Sequence, residues 1–162
     1  MFFKALAASL LTLSPIAISG QTAPPVTLPS KLKAQVDRNY PGWQYLAPLK
    51  GCASDIKRSV LIGDFNGDGR RDYVIKIEFN SNGALVGFIS TREGYHQSVI
   101  IRESAKVVKD IGFTIGHKGT RVINGQSKSV FLKTDIVLAD SCANRGNANY
   151  WAYKNGGFET LK

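Results

Sequence analysis

Residues 60–79, VLIGDFNGDGRRDYVIKIEF, contain the change of pattern that decides the fold. A short apolar run ending at Gly63 enters Asp64-Phe65-Asn66-Gly67-Asp68-Gly69, passes Arg70-Arg71-Asp72 and turns into a two-residue alternation. Tyr73, Ile75, Ile77 and Phe79 fall on one side, with Lys76 and Glu78 on the other, which predicts a strand with one wet face. Three carboxylates and two glycines within nine residues are more specific chemistry than a plain hairpin needs.

Downstream the same period recurs. A turn at Ser81-Asn82-Gly83 leads into ALVGFIST, and a turn at Glu93-Gly94 into GYHQSVIIRE. DIGFTIG and TRVING are shorter and bounded by glycine, SKSVFLKTDIVLAD holds one or two strands, and NYWAYKNGGFETLK closes the chain as a hairpin around Asn155-Gly156. Upstream, one helix is expected from Ser30 to about Tyr40. Ser30 follows Pro29 as its cap, Leu32, Val36 and Tyr40 share a face, and Pro41-Gly42 ends it. No second helix is expected. The fold class is mainly β: a single domain of antiparallel strands with one N-terminal helix, bordering on α+β. Trp43, Tyr150, Trp151 and Tyr153 are candidates for an aromatic contact surface, with core packing as the alternative.

The first residues differ in kind. MFFKALAASLLTLSPIAISG places one early charge, Lys4, before an apolar run and then small residues, the order of a secretory leader. Residues 1–19 read as that signal peptide, 20–29 as a proline-rich, extended spacer and 30–162 as the domain. The apolar stretch from Ala5 to Leu13 falls short of the ~20 residues a bilayer span requires. No transmembrane segment is expected in the mature chain, which is placed in the periplasm or outside the cell. In that compartment Cys52 and Cys142, the only two cysteines, read as a disulfide, with two free thiols as the alternative.

Lys and Arg number 21 against 12 Asp and Glu. A basic exported chain meets anionic surfaces, so the partner is expected to be a protein or an anionic envelope polymer. The basic residues are scattered, with Lys57-Arg58 and Arg70-Arg71 as the adjacent pairs, and no aromatic-interleaved stripe points to nucleic acid.

Counted from Asp64, the odd positions supply side-chain oxygens from Asp64, Asn66, Asp68 and Asp72, and the carbonyl of Arg70 can join them. Gly67 and Gly69 let the backbone curl. An all-oxygen set on a flexible turn suits Ca²⁺, with Mg²⁺ second because it demands stricter octahedral geometry. The alternative is an Asx-rich turn that holds itself by hydrogen bonds without an ion. An EF-hand is excluded, because Ile75 stands where its bidentate Glu belongs and the flanks read as strands.

IGDFNGDGRRDYVI, residues 62–75, resembles the calcium loop of FG-GAP and VCBS repeats, a strand, D-x-[DN]-x-D-G-x-x-D and a strand. The chain also looks like a group of small exported bacterial proteins with one such loop, a helix and a YPGW-like segment upstream (residues 40–43 here) and a Tyr/Trp-rich hairpin at the end (YWAYKNGGF, 150–158). The resemblance implies calcium binding and export, and no reaction. A complete propeller is not expected, since one loop cannot supply at least four blades.

Reaction chemistry is thinly represented. His96 and His117 lack a nucleophile motif, and G-x-S-x-G and H-E-x-x-H are absent. The expected function is therefore an exported, non-catalytic calcium-binding β domain that binds a protein or envelope partner. The alternative is a carboxylate-dependent hydrolase or wall-modifying enzyme near the calcium loop, which would need two acidic groups facing each other in a concave pocket.

Overall fold

The computed structural model describes residues 26–46, 59–123, 128–142 and 149–161. The expected signal peptide, Cys52 and the whole stretch 143–148 lie outside these residues.

The domain is mainly antiparallel β in three layers. Helix α1 (Ser30–Asn39) covers one face of a five-stranded sheet. That sheet contains β1 (Gln44–Tyr45), β2 (Val60–Gly63), β3 (Asp72–Phe79), β4 (Asn82–Ser90) and β5 (Tyr95–Ser104). Strands β1 and β2 share one edge of β3, and β4 and β5 follow on its other side. A short helix α2 (Ala105–Lys109) leads to β6 (Ile111–Gly116). After β7 (Arg121–Ile123) and β8 (Ser129–Phe131), which pair only with each other, come β9 (Ile136–Ser141), β10 (Asn149–Lys154) and β11 (Gly157–Thr160). The second sheet has the order β11-β10-β9-β6. The described strands form neither a barrel nor a propeller.

The side-chain alternation of β3 explains the layering. Tyr73, Ile75, Ile77 and Phe79 meet Leu32, Val36 and Tyr40 of α1 and its C-terminus, together with Ala84, Val86 and Phe88 of β4. Leu32 and Val36 are fully buried, each a contribution of about 1.5–3 kcal/mol. On the opposite face, Leu61, Val74, Leu85 and Ile89 pack on Phe113, Val137 and Ala139 of the second sheet. The sequence expectation of a wet face on β3 is therefore corrected: the second sheet covers that face, and Lys76 is fully buried.

Strand β5 changes parity midway. Leu85 pairs with Ile101 and Val86 with Val99, so Ile100 is an unpaired bulge. Both Ile100 and Ile101 then pack towards the inter-sheet core.

Other local expectations shift for physical reasons. Pro29, not Ser30, occupies the cap position of α1, and no side chain caps the helix. The β3–β4 turn is Asn80-Ser81, with φ of 47° and 63°, one residue before the expected turn; the ladder continues to Phe79 and Asn82. Asn155 and Gly156 form the final turn as expected, with φ of 50° and 82°. Helix α2 was not expected; Ser104 caps it, accepting from the Val107 N–H at 3.5 Å. The spacer's end is packed, since Leu28 joins the α1 core and Tyr45 Oη donates to the Val26 carbonyl. Trp43, Tyr150, Trp151 and Tyr153 are all half-buried, and Trp151 and Tyr153 pack against the inter-sheet core.

Candidate functional site

The Asp-rich loop leaves β2 at Gly63 and rejoins β3 at Asp72, and these two residues are the last ladder pair. Its backbone reverses through Gly67 and Gly69, at φ of 80° and 82°, a region that side chains with a Cβ rarely adopt.

Each predicted side chain has a place. Asp64 is the hub of the turn: Oδ1 accepts from the Gly67 N–H at 2.8 Å and Oδ2 from the Gly69 N–H at 3.0 Å. Asn66 Oδ1 accepts from the Asp68 N–H at 3.1 Å, and Asp68 Oδ1 from the Arg70 N–H at 2.9 Å. Asn66 Nδ2 donates to the second Asp68 oxygen at 3.0 Å. The Asn66 amide and then the Arg70 N–H hold the Asp68 carboxyl below its ordinary pKa.

Asp72 is different. It is fully buried. Its Oδ2 accepts from the N–H groups of Phe65 (2.8 Å) and Asn66 (3.4 Å), and Oδ1 from Ser90 N–H at 2.7 Å. Burial pushes its pKa up, against the pull of these three amides, and the charge of Asp68 adds to the rise. Asp72 thus ties the base of the loop to the end of β4.

Two further residues fix the loop, and neither is among those singled out from the sequence. Phe65 is fully buried and meets the Phe158 ring edge-on at 5.8 Å between centroids, so the turn is anchored between the sheets. Asp135, just before β9, accepts from Asp64 N–H at 3.0 Å through Oδ2 and donates its own N–H to the Asp64 carbonyl at 3.1 Å. Its Oδ1 accepts from Lys118 N–H at 2.9 Å, and His117 Nδ1 lies 3.7 Å away. A Cβ at Gly63 would sit 2.9 Å from Asp135 Oδ2, and one at Gly67 2.9 Å from Thr134 Cγ2. The loop is thus seated tightly on the turn before β9. A lone aromatic inside a polar turn is the trace Phe65 leaves in sequence; Asp135 acts across 71 residues and leaves none.

The donor set suits a hard cation, being all oxygen. Its oxygens, however, face backbone amides: among the described residues no group of three or more His, Cys, Asp or Glu converges as an ion site. No Lys or Arg among the described residues forms an ion pair with Asp64, Asp68 or Asp72.

Elsewhere, His96 Nε2 lies 2.8 Å from the Gly156 carbonyl and His117 is exposed. A cleft of about 350 Å³ is lined by Pro29, Ser30, Lys31, Ser90, Thr91, Arg92, Gly94 and Tyr95, with no carboxylate among them.

The chain matches no protein-family model, no curated protein and no solved structure.

Proposed function

We propose that the chain is an exported, non-catalytic β domain that binds Ca²⁺ at an FG-GAP-like loop, with Mg²⁺ as the weaker alternative, and recognises a protein or envelope partner. Asp64, Asn66, Asp68 and the Arg70 carbonyl supply the ligands, with Asp72 at the base of the set. Cys52 and Cys142 form the disulfide of this exported form. The observation that carries the reading is electrostatic. Asp64, Asp68 and Asp72 crowd one turn without an ion-paired cation among the described residues, and the carboxyl of Asp72 is buried. A divalent cation would offset that clustered charge. To reach the ion, Asp68 gives up only its exposed bond from Asn66. Affinity is expected in the range of extracellular modules, about 10⁻⁴–10⁻³ M. The ion's role is structural: it pins a turn that already bridges the two sheets through Phe65 and Asp135. Among the described residues, the cleft beside Pro29 and Tyr95 does not supply the facing carboxylates that the hydrolase reading needs.

The test is a thermal melt with and without millimolar Ca²⁺, repeated on Asp68→Ala. A concentration 100 times Kd adds about 2.7 kcal/mol to the wild type and much less to the variant. Identical melts under all four conditions would remove the metal site.

A further inference from the structure

The β7–β8 ribbon is the part of the fold that neither the calcium loop nor the core explains. Its ladder pairs Arg121 with Phe131, Val122 with Val130 and Ile123 with Ser129. Alternation gives it two faces. Val122 turns inward and packs against the small cluster of Leu132, Ile136 and Ala152. Ile123 and Phe131 turn outward, 65% and 57% exposed, the most exposed large apolar side chains among the described residues.

Along the chain that carries them, charge has one sign. Between Asp110 and Asp135 the chain carries Lys118, Arg121, Lys128 and Lys133 and no acidic residue. Lys118, Arg121 and Lys133 are exposed. Arg121 shares the outer face with Ile123 and Phe131. A soluble polyanion would use the charges and leave the two apolar side chains in water. The interface of an anionic bilayer takes both, the apolar groups at the boundary between headgroups and acyl chains and the cations among the phosphates.

We propose that the outer face of the β7–β8 ribbon docks on an anionic lipid bilayer, with Ile123 and Phe131 entering the interface and Lys118, Arg121 and Lys133 lying against lipid phosphates. This deepens the reading of an exported domain with an envelope partner and is independent of the calcium loop.

The experiment uses protein recovered from the exported fraction of expressing cells. It is sedimented with vesicles of equal parts phosphatidylglycerol and phosphatidylcholine, and with vesicles of phosphatidylcholine alone. Binding is expected to the anionic vesicles only and to weaken in high salt. The double variant Ile123→Ser, Phe131→Ser is expected to bind about tenfold more weakly or worse. Neutralising Lys118 and Arg121 with Gln is expected to cost about fivefold for each charge. All these positions are exposed, so both variants should melt with the wild type. Absence of vesicle binding, equal binding to neutral vesicles, or a serine variant that binds like the wild type overturns the proposal while leaving the calcium reading intact. Failure to find the chain outside the cytoplasm overturns this proposal together with the exported reading, whereas loss of the calcium-dependent melt touches only the metal site.

Discussion

Replacing Lys76 with Met should change how stability depends on pH. Lys76 sits mid-strand in β3, fully buried, on the face covered by the second sheet. Its Nζ donates to the Ile111 carbonyl at 2.7 Å, reaches the Lys109 carbonyl at 3.5 Å and lies 5.8 Å from the centre of the Phe113 ring. Burial pushes its pKa from 10.5 down to about 8; the charge of Asp110 works against the fall and that of Lys109 adds to it. Between these two values the unfolded chain holds a proton that the folded chain has released. Raising the pH through that window therefore stabilises the fold. The gain is complete above the unfolded pKa and is lost as the pH falls through about 8. A difference from 10.5 to about 8 corresponds to about 3 kcal/mol. Urea unfolding of wild type and Lys76→Met at intervals from neutral to strongly alkaline pH gives the comparison. The tyrosines whose pKa burial raises, Tyr40, Tyr45, Tyr95 and Tyr153, titrate in both proteins and cancel in the difference. Wild type minus variant should climb by about 3 kcal/mol across the window. A flat difference would refute the claim that this ammonium is held out of water. At neutral pH the variant should lie within about 1 kcal/mol of wild type or above it, because Met fills the space without a buried charge while the Ile111 carbonyl loses its donor.

Three further substitutions probe the layers and the loop. Gly87→Ala places a Cβ 2.1 Å from the Phe158 ring; it should cost about 1–3 kcal/mol in urea unfolding, and Phe158→Leu in the same chain should recover part of that. Asp72→Ala removes the shared acceptor of three amides and should destabilise by about 3 kcal/mol, with faster hydrogen exchange at Phe65 and Ser90; unchanged exchange there would count against the latch. Asp135→Ala should speed exchange at Asp64 and Lys118 together and lower stability by about 1 kcal/mol, whereas a change at only one of the two would mean that the turn before β9 does not hold the loop.

What the sequence revealed follows the range of the forces involved. The face of α1 was legible because Leu32, Val36 and Tyr40 recur at helical spacing, and the last hairpin because Asn155-Gly156 suits positive φ. The strand β3 was legible as a strand, but not its burial on both faces. Lys76 is hydrophilic in isolation, and the carbonyl that accepts its hydrogen bond lies 35 residues away. Helix α2 is too short to show a period, and only its capping Ser104 marks it. At the loop, sequence spacing brought Asp64, Asn66 and Asp68 onto one turn, as the structure has them. The contacts that seat that turn, through Phe65 to β11 and through Asp135 to the second sheet, depend on how the sheets stack, which no local pattern encodes.

The way the first sheet ends bears on how the protein behaves at high concentration. On one flank the outermost backbone consists of two stubs, β1 with 2 residues and β2 with 4, both borrowed against β3. On the other flank the ten-residue β5 is interrupted by its bulge at Ile100. Among the described residues, neither side offers a long flat row of open amides and carbonyls on which a second chain could template a strand. The first sheet is thereby poorly suited to edge-to-edge association at high protein concentration.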